Sequence, residues 1–374
     1  MTAALAWLVL AIWAYLLLAR GFFWRARVET SSPLPQQFPS VVAVIPARNE
    51  ADGVGRAVAS LLDQDYRGAF SIVLVDDHSN DGTAEVARAA AAGNEDRLTV
   101  VAAGSLPGGW TGKLWALSEG VRQVARPPDL YLFTDADIAH HRANLTELVA
   151  RLEAERRDLV SLMVKFHCES FAERFLIPPF VFFFALLYPF AWSNDPRKAT
   201  AAAAGGCILI RRSAYERIGG YAAIKGELID DCALAQRVKR GGAIWLGLTP
   251  TTESLRVYPR IADIWNMVAR TAYTQLRYSP VVLAGTVLGL VITYLAPVFL
   301  VLAGGRGAWL GALAWAIMAL IYLPMLRFYG RSLLWAPLLP AAASVYLAAT
   351  IASAWRHWRG RGGEWKGRVR WQGR

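Results

Sequence analysis

The chain has 374 residues, of which 55% are hydrophobic, and its mean hydropathy of +0.29 excludes a wholly soluble globular protein. The net charge is +11, but many basic residues flank apolar runs or follow residue 354, which favours contact with a membrane surface over nucleic acid. The cysteines, Cys168, Cys207 and Cys232, have no metal or redox spacing, which argues against a disulfide framework and fits a reducing cytoplasmic location.

The N-terminal apolar segment comes first along the chain. Residues 3–19 carry no charge and are about long enough to cross a bilayer, and Arg20, Arg25 and Arg27 follow them. This pattern predicts a transmembrane anchor over residues 1–20 with its C-terminal end in the cytoplasm. A cleaved signal peptide is the alternative, against which the missing positive charge before the apolar run argues. Residues 21–39 are predicted to form a linker.

Residues 40–277 alternate short β-branched runs with Ala-rich stretches, which predicts a parallel α/β sheet. Open parallel sheets bind ligands just beyond the carboxyl ends of their strands, so the polar residues that follow each run are candidates for a ligand site. The predicted strands are residues 41–45, 71–75, 98–102, 130–134 and 207–210, and the predicted helices are residues 53–62, 83–92, 213–218 and 229–240.

A strongly apolar segment interrupts this domain at residues 171–192. Arg174 and the prolines Pro178, Pro179 and Pro189 leave a continuous apolar stretch shorter than the roughly 20 residues that a spanning helix needs. We therefore expect the segment to lie in the membrane interface. A buried core helix is the alternative.

Three further apolar runs follow, at residues 281–303, 309–326 and 333–355. Each is close to the roughly 20 residues of a membrane helix, so residues 278–355 are predicted to form about three transmembrane helices before a basic tail at 356–374. Together with the anchor, three crossings would place this tail outside the cell, against the positive-inside tendency. Either the tail is an exception, or one run is a re-entrant pair.

Asp135 and Asp137 follow a predicted strand and are separated by one residue. Two carboxylates at a strand end can share one divalent cation, and hard oxygen ligands suit Mg²⁺ or Mn²⁺, which would also bind a diphosphate. In isolation, an Asp-x-Asp triplet is more often a solvated turn or helix cap. The pair is thus a candidate metal site that needs other evidence.

Asp76 and Asp77 end another predicted strand and precede a turn-rich stretch. A carboxylate at this place can accept the imide N–H of a uracil ring. The alternative is turn and N-cap chemistry, with Asp81 or Thr83 as the capping residue.

Asp230 and Asp231 stand at the start of a predicted helix, where the helix dipole already favours carboxylates. Their functional interpretation is that one of them is a general base. Lys113 follows a glycine-containing loop and is either a phosphate contact or a solvated side chain. The histidines have no metal-ligand spacing and receive no role.

Six motifs occur in order on the predicted elements: PARNE at 46–50, LVDDHSNDGT at 74–83, GK at 112–113, TDAD at 134–137, GGCILIRRSAYERIGGY at 205–221 and DD at 230–231. This set resembles family 2 glycosyltransferases with the GT-A fold, across the whole predicted domain. The segments ARNEADGV, SLLDQDYRG and GGWTGKLWAL and the membrane arrangement resemble most closely the glycosyltransferases associated with bacterial hopanoid biosynthesis. Ceramide glucosyltransferases and carotenoid glycosyltransferases are more distant.

The resemblance implies a Rossmann-like α/β domain joined to transmembrane helices, and a role for each matching residue. Asp135 and Asp137 would hold the metal, and Asp231, next to Asp230, would be the base, although the family's acidic pair is usually Glu-Asp. The residues expected to bind the nucleotide-sugar are Pro46, Ala47, Arg48, Glu50, Asp76, Asp77, Lys113, Asp135 and Arg277.

One departure from the family concerns the Gln-x-x-Arg-Trp motif of processive members. Arg277 and Tyr278 match its end, but Thr274 stands at the glutamine position and Gln275 comes one residue late. Tyr278 would take over the stacking role of the tryptophan. Polymer synthesis is therefore not favoured.

The resemblance implies an inverting hexosyltransferase that moves a sugar from a nucleotide-sugar, expected to be a UDP-sugar, to a hopanoid or related polyisoprenoid lipid. It also implies a bacterial inner-membrane protein with its catalytic domain facing the cytoplasm and without an obligate protein partner. A processive polysaccharide synthase and a non-catalytic membrane protein that binds nucleotide-sugar are the alternatives.

Overall fold

A computed structural model describes residues 2–29 and 32–360. Part of the predicted linker and tail residues 361–374 lie outside this range. The described chain divides into two compact units. The helical unit comprises residues 2–26, 168–191 and 257–360, and the sheet unit comprises residues 27–29, 32–167 and 192–256. This division assigns residues 168–191 and 257–277 to the helical unit, whereas the sequence predicts a continuous domain over 40–277.

Strands and helices follow one another in an α/β order in the sheet unit. The strands are β1 Val41–Ala47, β2 Phe70–Asp76, β3 Leu98–Ala102, β4 Leu130–Phe133, β5 Ile138–Ala139, β6 Leu159–Lys165, β7 Ile208–Arg211 and β8 Ile244–Ser254. The helices of the chain are α1 Thr2–Leu18, α2 Ala51–Leu62, α3 Thr83–Ala90, α4 Gly112–Arg122, α5 Asn144–Ala154, α6 Phe171–Leu187, α7 Phe190–Asn194, α8 Arg212–Arg217, α9 Asp230–Lys239, α10 Ile261–Gln275, α11 Pro280–Leu290, α12 Ala296–Ala303, α13 Ala308–Phe328 and α14 Leu339–Trp358.

The sheet has the order β3-β2-β1-β4-β7-β6-β8-β5. Strands β1 to β4 pair in parallel, but β7 runs antiparallel to both β4 and β6, and β5 runs antiparallel to β8. The predicted parallel arrangement thus holds for β1 to β4 and for β6 with β8, but it is wrong for β7 and β5. A short buried apolar run such as that of β7 has the same composition in either direction, so periodicity alone cannot set its orientation.

Both faces of the sheet are covered by helices. Ile45 and Leu74 are buried on one face with α2, and Val44 and Val75 are buried on the other with α4. A Cβ at Gly120 of α4 would collide with the side chain of Val44, so glycine allows this helix to approach the sheet closely. The position of α4 matters because its first turn carries Lys113.

The helical unit contains three segments long and apolar enough to cross a membrane: Pro280–Ala303, Gly305–Phe328 and Leu333–Trp358. Thr2–Leu18 is a shorter apolar helix. A π-helical turn over Val291–Leu295 joins α11 to α12, and a 3₁₀ segment over Leu333–Leu338 precedes α14. All nine strands and helices that the sequence predicts in residues 40–277 lie within two residues of their observed bounds.

Helix α6 covers most of the apolar segment that the sequence places in the membrane interface. It continues through Pro178 and Pro179 and begins with a capping box, in which Ser170 and Glu173 satisfy each other's backbone N–H groups. Its location in the interface stays a prediction.

Candidate active site

The loops that follow β1 and β2 lie against each other. Arg48 pairs with the carboxylate of Asp77 at 3.8 Å and also donates to the Asp77 carbonyl oxygen. Asp77 is fully buried, and the backbone N–H of Asn49 donates to Ser79 Oγ at 2.9 Å. The structure thus brings the predicted nucleotide-binding residues Arg48 and Asp77 together at one edge of the sheet.

Some carboxylates at this edge of the sheet accept backbone N–H groups and so stabilise turns. Asp81 Oδ1 accepts the N–H of Thr83 at 3.1 Å and its Oδ2 accepts the N–H of Ala51 at 3.0 Å. Asp76 Oδ2 accepts the N–H of Ser79 at 3.3 Å. The N-cap residue of α3 is Gly82, which makes no side-chain cap, so Asp81 and Asp76 stabilise the turn that precedes the helix.

Lys113 is held by carboxylates and is not a solvated loop residue. Its Nζ lies 2.7 Å from Asp135 Oδ1 and 3.6 Å from Asp230 Oδ2. Thr111 caps the helix by accepting the N–H of Leu114, which fixes the first turn. Burial lowers the pKa of Lys113, but the charges of Asp135, Asp230 and Asp231 outweigh it and raise the pKa above its usual value. Lys113 is thus a permanent cation.

Asp137 has a different cation, Arg256, which the sequence analysis did not identify. Arg256 Nε donates to Asp137 Oδ2 at 2.7 Å, and its Nη2 donates to Glu50 Oε1 at 2.8 Å. Arg256 stands shortly after the end of β8 and 119 positions from Asp137. No local motif contains it, so only the pairing of β5 with β8 could have indicated this contact.

Asp231 is held by main-chain donors. Its Oδ2 accepts the N–H of Gly205 at 2.9 Å and its Oδ1 accepts the N–H of Cys232 at 2.7 Å. Burial and then the neighbouring charge of Asp230 raise the pKa of Asp231 to about 6, although Lys113 acts in the opposite direction. A carboxylate with a pKa near neutrality is suited to general-base catalysis.

Gly205 makes this arrangement compact. A Cβ at this position would lie 3.2 Å from Lys113 Nζ and 3.5 Å from Asp231 Oδ2. The absence of a side chain at Gly205 therefore lets Lys113 and Asp231 approach the same backbone segment.

The elements converge on one cleft at the carboxyl ends of β1 and β4. Of the predicted site residues, Pro46, Lys113, Asp135 and Asp230 line it. Burial raises the pKa of Asp135, and the charges of Asp137 and Asp230 add to this, while Lys113 counteracts them. The full lining is Pro46, Lys113, Leu117, Phe133, Thr134, Asp135, Gly205, Ile208, Tyr221 and Asp230.

His140 supports the turn that carries the aspartates and does not face the cleft as a ligand. Its Nε2 lies 2.8 Å from Thr134 Oγ1, which donates to the Gly206 carbonyl oxygen, and its Nδ1 lies 2.9 Å from Asn144 Nδ2. Burial lowers the pKa of His140 to about 4, so the ring is neutral at pH 7.

Arg277 and Tyr278 belong to the helical unit and both have positive φ angles, +53° and +56°. The ring of Tyr278 stacks on His357 with the centroids 4.4 Å apart. The expected roles of both residues at the donor stay predictions.

The donor chemistry of the cleft fits a divalent cation. Among residues 2–29 and 32–360, no group of three or more His, Cys, Asp or Glu side chains forms a complete metal site. Asp135 and Asp137 nevertheless offer carboxylate oxygens from one turn, and Mg²⁺ is commonly held by one or two carboxylates together with substrate phosphates. The two aspartates would therefore hold the metal jointly with a diphosphate.

Comparison with known proteins finds similarity to glycosyltransferases. Residues 42–219 match the sequence profile described as "Glycosyl transferase family 2". A curated relative, 4,4'-diaponeurosporenoate glycosyltransferase of Staphylococcus haemolyticus (strain JCSC1435), is 30% identical over 125 residues, which are 33% of this chain and 31% of that protein. The matched part is thus about a third of the relative's length.

Solved structures resemble the chain in fold. Mannosyltransferase PcManGT from Pyrobaculum calidifontis, in complex with GDP-Man and Mn²⁺, covers 96% of this chain and 99% of its own with 22% identity and a TM-score of 0.57. Glucosyl-3-phosphoglycerate synthase from Mycobacterium tuberculosis, in complex with Mn²⁺, UDP and glucosyl-3-phosphoglycerate, covers 64% of this chain and 79% of its own with 20% identity and a TM-score of 0.41.

The sheet unit therefore has the GT-A fold, a Rossmann-like α/β domain with a curled sheet. Residues 42–219, a little under half of the chain, are similar to glycosyltransferase family 2.

Proposed function

We propose that the chain is an inverting glycosyltransferase that moves a sugar from a UDP-sugar to a membrane lipid. The observation that carries this proposal is the cluster in which Asp231, with a pKa of about 6, lies beside Lys113, Asp135 and Asp230. Such a cluster supports the proposal because it would bring a base, a cation and a metal ligand close together.

The donor would bind along the edge formed by Pro46, Ala47, Arg48, Glu50, Asp76 and Asp77, with Asp77 contacting the base. Lys113 would stabilise the negative charge that develops on the diphosphate as it leaves. A divalent cation held by Asp135 and Asp137, Mg²⁺ or Mn²⁺, would supply further charge stabilisation of this leaving group. Arg277 is proposed as an additional diphosphate contact.

Asp231 would act on the acceptor. Its carboxylate removes the proton of an acceptor hydroxyl, the hydroxyl oxygen forms a bond with the anomeric carbon, and the bond from that carbon to the diphosphate breaks. The nucleoside diphosphate leaves with the bonding electron pair. A single displacement of this kind inverts the anomeric configuration.

The acceptor is proposed from the apolar segments and from resemblance. Residues 1–20 and 278–355 and the interfacial segment 171–192 would bind the apolar part of the lipid acceptor, and the catalytic domain, 40–277, would act on its hydroxyl. The curated relative is named for 4,4'-diaponeurosporenoate, and the motifs of this chain resemble glycosyltransferases of hopanoid biosynthesis. We therefore propose a hopanoid or related polyisoprenoid as acceptor, at a bacterial inner membrane and with the catalytic domain in the cytoplasm.

The test uses the purified full chain with UDP-sugars or GDP-sugars, Mn²⁺ or Mg²⁺, and a lipid extract. We expect lipid-dependent release of UDP and a lipid product heavier by one sugar in mass spectrometry. A polymeric product in gel filtration would instead support a processive synthase. Binding of nucleotide-sugar without release of nucleotide under any of these conditions would overturn the proposed activity.

A further inference from the structure

The two apolar segments Pro280–Ala303 and Gly305–Phe328 form an antiparallel pair. Each is 24 residues long, and a single residue, Gly304, separates them. A Cβ at Gly311 would lie 2.8 Å from the Leu300 side chain and 2.9 Å from the Pro297 carbonyl oxygen, so the two helices pack closely on either side of the turn. Pro280 and Phe328 therefore lie at one end of the helical unit, called here the near end, and Gly305–Gly307 lies at the far end.

Helix α1 runs from the far end to the near end. The carbonyl oxygen of Thr2 lies 3.4 Å from the position of a Cβ on Gly307, and the rings of Trp7 and Trp309 contact each other. At the other end of the helix, Phe23 contacts Phe182, whose ring also contacts Tyr322 late in α13. The chain thus leaves α1 at the near end and continues into the sheet unit.

The last apolar run, Leu333–Trp358, begins and ends at this same near end. Arg331, three residues after Phe328, pairs with Glu169 at 3.2 Å. At the other end of the run, Ser353 Oγ accepts the N–H of Tyr273 at 3.0 Å, and His357 stacks on Tyr278, two residues before Pro280.

Between its first and last residues, the segment Leu333–Trp358 extends from the near end towards the far end and then turns back. The Pro337 carbonyl oxygen accepts the indole N–H of Trp315 at 3.0 Å. Trp315 precedes Phe328 by 13 residues, a helical rise of roughly 20 Å. The 3₁₀ segment Leu333–Leu338 therefore leads from the near end towards the far end, and α14, from Leu339, leads back to the near end.

We infer that Leu333–Trp358 is a re-entrant hairpin and does not cross the membrane. Among the residues that the structure describes, α1, α11 with α12, and α13 then cross it, so α14 ends on the same face as α1. This arrangement revises the expectation of about three crossings in residues 278–355 and removes the charge conflict of the sequence.

The charges at the two ends agree with this topology. Arg306 is the single charged residue of the far-end segments 2–7 and 303–309, whereas the near end carries Arg20, Arg327, Arg331 and Arg359. By the positive-inside rule the near face is cytoplasmic.

Single cysteines and a membrane-impermeant maleimide test this topology. The native Cys168, Cys207 and Cys232 are all buried and give a low background. In spheroplasts we expect Arg306→Cys to be labelled and Arg359→Cys to be labelled only after permeabilisation. Arg126→Cys, on an exposed loop of the sheet unit, is the matched cytoplasmic control. Labelling of Arg359→Cys in spheroplasts that leave Arg126→Cys unlabelled would overturn the inference.

A second measurement covers the case in which a cysteine variant does not fold. Fused after Arg374, green fluorescent protein should fluoresce and alkaline phosphatase should be inactive, because the former matures in the cytoplasm and the latter outside it. Active phosphatase with dark green fluorescent protein would contradict the hairpin. Neither readout depends on the proposed sugar transfer.

Discussion

The proposed metal ligands, Asp135 and Asp137, and the proposed base, Asp231, have different hydrogen-bond partners, whereas Asp230 shares Lys113 with Asp135. Each member of the first pair contacts a basic side chain, Lys113 or Arg256. Asp231 instead accepts two backbone N–H groups, and its pKa is raised to about 6.

This difference suits Asp135 and Asp137 to metal binding and Asp231 to proton acceptance. Carboxylates balanced by cationic side chains can exchange those cations for a metal that also binds a diphosphate. A carboxylate fixed by the main chain keeps its position and gains proton affinity from burial, which a base requires.

We expect the largest effect from a substitution of Asp231, the proposed base. We expect Asp231→Asn to lower turnover by about a thousandfold, since the amide cannot accept the acceptor's proton, while nucleotide-sugar binding is kept. Nucleotide release and donor binding by calorimetry measure the two separately. Asp158→Asn, which alters an ion pair with Arg217 elsewhere in the sheet unit, is the control. Wild-type turnover in Asp231→Asn would refute its assignment as base.

Removing a cation of the first pair should have an intermediate effect. Arg256→Ala leaves Asp137 and Glu50 without this counter-charge, so the metal-free protein should melt at a lower temperature and Mn²⁺ should bind several-fold more tightly. Thermal shift with Mn²⁺ alone measures both effects. Arg217→Ala, which breaks the ion pair with Asp158, should not change the Mn²⁺-induced shift. An equal shift in the two variants would contradict the proposed exchange of Arg256 for metal.

The smallest expected effect is on the pH dependence of kcat/KM for the acceptor. Because the base acts when deprotonated, kcat/KM for the acceptor should fall as pH decreases through about 6 and be level above it. In Asp230→Asn the midpoint should move to lower pH by up to about one unit, since the charge of Asp230 raises the pKa of Asp231. Rate profiles from pH 5 to 8 measure this. A midpoint unchanged by Asp230→Asn would argue against this coupling.

The sequence predicted the elements whose signal is local. The runs of β1 and β2, the helix start at Asp230 and the Asp135–Asp137 turn all lie close to where periodicity and composition place them. Each depends on neighbours within one element or turn, which is the range over which such patterns carry information.

Other features depend on contacts between distant parts of the chain. The sequence did not indicate β5, β6 and β8, the antiparallel direction of β7, or the contact of Arg256 with Asp137. β8 continues into the polar residues Thr249 to Ser254, so its end does not read as a buried apolar strand. Such pairings are set by tertiary packing, which overrides local propensity.

The buried hydrogen-bond chain through His140 has a consequence for acid tolerance. Its pKa is about 4 in the folded protein and near 6.5 in an unfolded chain, so the unfolded state binds more protons between these values. The free energy of unfolding therefore decreases as pH falls from about 6.5 to 4, by on the order of 3 kcal/mol in total. Mild acid would first protonate Asp231 reversibly, and stronger acid would then weaken the turn that presents Asp135. As pH falls, the protein would thus lose its proposed catalytic activity before its fold is destabilised.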